Sequence, residues 1–139
     1  MPSIVQNAQL EQCLREILAR EGYAVSPVKQ HGETGVDILA TKDGESFHIE
    51  VIGFKSSPPA RAKDFYESFF RAVSRLNDGA NRCVIALPKR FEHGLPTRAN
   101  QHRVAWKRIG EAIPELQIWL VDTEKRSCER TKWLYWLLA

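Results

Sequence analysis

The chain has 139 residues, 43% of them hydrophobic and 27% charged, a composition that excludes a disordered or membrane-embedded protein and suits one domain over residues 1–139. A net charge of +3 neither demands nor excludes an anionic partner. The start, Met1-Pro2-Ser3-Ile4-Val5-Gln6, lacks a basic segment followed by a long apolar run, and no stretch is long and apolar enough to span a bilayer, so a cytoplasmic protein with no membrane partner is expected. Cys13, Cys83 and Cys128 are odd in number and show no Cys-x-x-Cys spacing, which fits a reduced protein with neither a disulfide framework nor a zinc site.

Helical spacing of Leu10, Leu14, Ile17 and Leu18 predicts a first helix from about Ile4 to Arg20, with Gly22 where it would stop. Tyr23 to Val28 reads as a short strand, and residues 29–35 as a loop leading to a β-hairpin. The hairpin is signalled by Asp43-Gly44 between two apolar runs, because both central residues of a type I′ turn need positive φ. Ser56-Ser57-Pro58-Pro59 then offers an N-cap and a first turn for a helix reaching Leu76. That helix is expected to bury Phe65, Phe69, Val73 and Leu76 and to leave Lys63, Glu67, Arg71 and Arg75 available, the first three at i, i+4 spacing for ion pairs. Cys83 to Leu87 has the near-continuous apolar character of a strand covered on both faces. A helix from Thr97 or Arg98 to Ile113 and a buried strand from Leu116 to Val121 follow. The tail, residues 132–138, is either a last strand or a helical turn, and periodicity does not decide between them. Strand-helix-strand units with buried strands imply an α/β fold, a mixed central sheet flanked by helices.

If Asp43 and Gly44 form the turn, Lys42 faces Glu45 and the ladder continues until Asp37 faces Glu50. Residues paired in this way share one side of the sheet with Cβ atoms about 5 Å apart, so two carboxylates placed there repel and call for positive charge nearby. Val36, Ile38 and Ala40 against Val51, Ile49 and Phe47 make the core side; Asp37, Leu39 and Thr41 against Glu50, His48 and Ser46 make a half-polar side. His48 is read as a hydrogen-bonded surface residue, with proton transfer or phosphate contact as the alternative. Six Lys or Arg, namely Lys89, Arg90, Arg98, Arg103, Lys107 and Arg108, stand against one acid, Glu92, between residues 89 and 108. Such a run suits either a solvated face or contacts to phosphates.

Gly22-Tyr23-Ala24-Val25, Gly35-Val36-Asp37-Ile38-Leu39-Ala40, Ile49-Glu50-Val51-Ile52 and the element order from about Leu10 to Asp122 resemble the restriction-endonuclease-like superfamily, the PD-(D/E)XK nucleases, in its Mrr-like branch. The resemblance implies that Asp37, Glu50 and the Val51 carbonyl hold Mg²⁺ (or Mn²⁺), and that a lysine two positions after the glutamate supports the attacking water. Ile52 stands at that lysine position; Lys55, or Lys63, is the substitute that the resemblance suggests, with Lys55 preferred. Glu11 and Glu16 are candidates for the extra carboxylate that relatives can take from the first helix, and most helical glutamates face solvent. Phosphate contacts are expected from Arg61, Arg71, Lys89, Arg90, Arg98 and Arg103. The function so implied is Mg²⁺-dependent hydrolysis of DNA phosphodiesters, compatible with a homodimer. The alternative is an inactive nuclease-fold module that binds nucleic acid or a protein partner.

Overall fold

The computed structural model describes residues 5–29 and 35–137. Ile4, the 30–34 part of the expected loop and Leu138 lie outside the described residues. Six strands form one sheet: β1 (Ala24–Val25), β2 (Ile38–Lys42), β3 (Glu45–Val51), β4 (Arg82–Pro88), β5 (Leu116–Asp122) and β6 (Ser127–Lys132). Their spatial order is their chain order. β1, β2 and β3 are antiparallel neighbours, β3, β4 and β5 run parallel, and β6 returns antiparallel to β5. Four helices flank the sheet: α1 (Asn7–Arg20), α2 (Pro58–Ser74), α3 (Leu95–Gln101) and α4 (Arg103–Ala112). This is the mixed, helix-flanked α/β sheet that the sequence predicts. No helix among the described residues is long and apolar enough to cross a membrane.

The two faces are separate cores. α1 lays Leu10, Leu14, Ile17 and Leu18 against Ile38, Ala40, Ile49, Val51, Val84, Ala86 and Trp119. On the other face Phe65 of α2, Ala99 of α3 and Trp106 of α4 cover Ile52, Cys83, Ile85, Leu87, Ile118 and Leu120. Trp133 joins this second core from a 3₁₀ turn over Trp133–Trp136. Its ring stacks on that of Trp106 at 3.8 Å, and each indole N–H donates to the other residue's carbonyl at 2.9 Å. Two buried indole N–H groups are thereby satisfied.

Several elements differ from the sequence reading. α1 starts at Asn7, because Val5 instead exchanges backbone hydrogen bonds with Phe54, Val5 N–H to Phe54 O at 3.1 Å and Phe54 N–H to Val5 O at 2.7 Å. β1 spans two residues, since Ser26 leaves the ladder after bonding Leu39 on both its backbone and its hydroxyl. α2 stops at Ser74 and tightens into a 3₁₀ turn over Arg75–Asp78. That turn carries Leu76 outward to 39% exposure, and Ser68 and Ala72 fill the stripe in its place. The expected helix before Ile113 is two helices meeting at His102, whose φ of −115° and ψ of 39° leave helical geometry. The tail is a helical turn, and the strand β6 that precedes it was absent from the sequence reading: its Glu, Arg and Lys mask the alternation.

Gly53 permits the contact between the amino-terminal segment and the strand that continues β3. A Cβ there would stand 2.1 Å from the Val5 carbonyl oxygen, a backbone atom, and 2.9 Å from Asn7 Oδ1, which accepts the Gly53 N–H at 2.6 Å. Gly53→Ala is expected to destabilise the protein by about 1–3 kcal/mol in urea unfolding, the range for overpacking. Hydrogen exchange at the Phe54 amide should accelerate with it; unchanged stability would show that this contact is dispensable.

Candidate active site

The hairpin register is the predicted one, running from Lys42 opposite Glu45 to Ile38 opposite Ile49. Asp43 and Gly44 take φ of 52° and 83°, as the two-residue turn requires. One further step places Asp37 opposite Glu50. There the ladder hands over to side chains. The Val51 N–H donates to Asp37 Oδ2 at 2.9 Å, and the Asp37 backbone hydrogen-bonds the Glu50 carboxylate. Each acid is thus held by the other's strand. In a strand the N–H and C=O of one residue leave on the same side, so the Val51 carbonyl faces the same edge as Asp37.

Positive charge reaches this pair from two directions. Lys29 Nζ lies 3.1 Å from Asp37 Oδ1 and also donates to Gly35 O at 3.0 Å. Arg75 Nε lies 3.9 Å from Glu50 Oε2 while its Nη1 holds Asp78 at 3.0 Å. Arg15 of α1 fixes the approach to the hairpin by donating to the carbonyls of Ser26 and Asp37, the latter at 2.9 Å, with Glu11 on its Nε at 2.8 Å. Glu11 therefore serves Arg15, and Glu16 pairs with Arg126. The sequence reading missed Lys29, Arg15 and Arg75 as site neighbours. Only the expected need for a cation between two carboxylates pointed to them.

On the carboxylate side of the hairpin α2 covers the inner part of β3, leaving Glu50 3% and His48 7% accessible, while Asp37, Leu39 and Ser46 are half-buried and Thr41 is exposed. His48 is thus a buried residue, and burial lowers its pKa so that the ring is neutral near pH 7. Its Nδ1 and Glu50 Oε2 are buried with no hydrogen-bond partner among the described residues. Burial, then the charge of Asp37, pushes the Glu50 carboxyl from its ordinary 4.5 up to about 7, against the pull of Arg75 and Lys29.

These oxygens fit a hard divalent cation. Two adjacent carboxylates and a carbonyl supply oxygen ligands, and an orphaned buried carboxylate oxygen lacks the compensation that burial demands. No group of three or more His, Cys, Asp or Glu with metal-holding geometry occurs among the described residues, so a cation here would meet only the two acids and backbone oxygens.

The other predicted residues are dispersed. Ile52, at the expected lysine position, lies in the α2-side core at 5% exposure. Lys55 Nζ pairs with Asp64 at 2.9 Å, and Lys63 and Arg71 flank Glu67 at 3.9 and 3.7 Å as the spacing predicts. Lys89 is held by Glu92 and Glu129 at 3.1 and 3.0 Å, and Arg103 Nη1 donates to Asn100 at 2.6 Å. Arg61, Arg90 and Arg98 gather around one cleft beside Phe54.

A buried acid with a raised pKa binds its proton more tightly folded than unfolded. Its fold therefore loses stability as pH rises from the unfolded value near 4.5 through about 7. Glu50→Gln removes that penalty. In metal-free buffer it is expected to raise the melting temperature at pH 8, by up to roughly 3 kcal/mol in stability, and to make little difference at pH 4. Equal effects at both pH values would contradict the buried, uncompensated carboxylate.

A restriction endonuclease family model, that of the Mrr catalytic domain, matches residues 4–104. No curated protein matches the sequence. Among solved structures, the fold is similar to that of an XisH family protein from Nostoc punctiforme PCC 73102, with a TM-score of 0.60 at 16% sequence identity, covering 89% of this chain and 98% of that one. The family match takes in the hairpin, both acids, α2, β4 and the basic segment as far as residue 104. The chain belongs to the Mrr-type restriction endonuclease family and has the restriction-endonuclease-like fold.

Proposed function

We propose that the protein is a Mg²⁺-dependent nuclease that hydrolyses DNA phosphodiesters, with Mn²⁺ able to replace Mg²⁺. The observation that carries this reading is the mutual clasp of Asp37 and Glu50 beside the Val51 carbonyl, with Glu50 Oε2 buried and without a hydrogen-bond partner. Asp37, Glu50 and the Val51 carbonyl would hold the ion. Bound there, Mg²⁺ supplies a Lewis acid for the phosphoryl oxygen and lowers the pKa of a coordinated water. The chain's own residues do the rest. Arg15 keeps the Asp37 carbonyl in place, and Arg75 offsets the charge of Glu50. Lys29, on the Asp37 carboxylate, is the cation best positioned to balance charge that develops on the phosphate; Lys55, paired with Asp64, is the second candidate.

A second reading is favoured by Ile52. An apolar side chain in the core can neither orient water nor neutralise charge, and a protein so built could bind nucleic acid or a protein partner without cutting. Incubation with plasmid, linear and branched DNA and with RNA, in Mg²⁺ or Mn²⁺, separates the two. Cleavage of DNA that Glu50→Ala abolishes supports the nuclease, and binding without cleavage by the parent supports the module. Within the first outcome, Lys29→Met is expected to reduce the rate about 100-fold, the lower end for a charge-stabilising group, and Lys55→Met much less. In calorimetric titration Mg²⁺ is expected to bind the parent weakly and Asp37→Ala not at all; unchanged binding in that variant would remove the metal site.

A further inference from the structure

The cleft beside Phe54 lies apart from the two carboxylates, neither of which lines it. It has a volume of about 270 Å³ and lies where the chain leaves β3 and β4. Arg61, Arg90, Arg98 and His93 line it, and no carboxylate does. Aromatic faces and neutral acceptors position Arg61 and Arg98, and Arg90 shares one of those faces. Arg61 and Arg90 each sit over the Phe54 ring, at 4.4 and 4.3 Å from its centroid. Arg61 Nη1 also donates to the carbonyls of Lys55 and Ser56, at 2.7 and 3.0 Å. Arg98 donates to the Tyr66 hydroxyl at 3.0 Å and lies over the Phe65 ring. Phe54 itself is held by its paired hydrogen bonds to Val5 and by an edge contact with Phe91.

Stacking leaves the edge of a guanidinium available, and that planar fork matches a phosphate. Phe54 lies four positions after Glu50, so their Cα atoms are at most about 14 Å apart. With phosphates spaced about 3.4 Å per strand along a duplex axis, a strand lying at the carboxylate pair reaches the cleft within about four nucleotides.

We propose that the Arg61–Phe54–Arg90–Arg98 cleft binds a phosphate of a nucleic-acid strand a few nucleotides from the one at Asp37 and Glu50. The proposal rests on the nucleic-acid reading above, but it does not need the carboxylates to be catalytic. Its test is binding of fluorescent duplex DNA in EDTA across a salt series, with Arg61→Gln, Arg98→Gln and, at the opposite end of β4, Arg82→Gln. Each cleft variant is expected to lose 3- to 10-fold in affinity at low salt and to lower the log–log salt slope by about 0.9, the change for one phosphate contact, while Arg82→Gln does neither.

Melting curves check that the variants fold. As a second measurement on the unaltered protein, the duplex is expected to protect Arg61, Arg90 and Arg98 from phenylglyoxal. Competition by covalently closed DNA as strong as by linear DNA would assign the cleft to an internal phosphodiester, and competition that requires a 5′-phosphorylated end would assign it to a terminal phosphate. Cleft variants with the parent's slope, or protection by an acidic peptide and not by DNA, overturn the proposal. Slope changes in a protein that cleaves nothing would retain the cleft and reject the nuclease.

Discussion

The structure depends on a hydrogen-bond exchange at the open end of the hairpin, where backbone pairing gives way to carboxylates. Val51 N–H binds the Asp37 side chain, and the Asp37 backbone binds the Glu50 side chain. Two like charges are held together against their repulsion because each satisfies a donor that the other's strand would otherwise leave open. Glu50 bears the cost: it is buried, close to a second acid and only partly offset by Arg75 at 3.9 Å. A fold optimised for stability alone would place an apolar residue there. An acid buried with so little compensation is an arrangement that a bound cation would relieve.

Much of this was legible in the residues. Asp43-Gly44 fixed the turn, the turn fixed the register, and the register placed the two acids on one face. The periodicity of α1 and the apolar runs of β4 and β5 fixed the cores. What escaped the reading came from tertiary contact. α2 crosses above His48 and Glu50, and no local pattern distinguishes a covered polar face from a solvated one. β6 is charged along its length because it is an edge, where Lys, Arg and Glu keep other strands away. Lys29 and Arg75 lie 8 and 25 positions from the acids that they contact, a separation that only tertiary structure closes.

The basic segment illustrates the same division. As a run of charge it suggests a single patch. In the folded protein Lys89 is absorbed by Glu92 and Glu129, and Arg103 turns to Asn100. Arg90 and Arg98 instead join Arg61 from α2, which lies outside the run altogether. Phe54, Phe65 and Tyr66 lie under guanidiniums and leave their charge in place, whereas the two carboxylates beside Lys89 offset its charge.

The coincidence of strand order with chain order bears on how this protein is made. From β2 onward, every strand docks beside the one synthesised just before it, so no central position has to be kept open for a late arrival. A nascent chain can therefore extend the sheet from the hairpin outward, with α1 already available to cover one side. The two-residue turn of the hairpin closes at small entropic cost, whereas the parallel pairs β3–β4 and β4–β5 close across their helical crossovers. The acidic pair lies at the open end of that first hairpin, and the burial that burdens Glu50 waits on α2, which follows it in the chain.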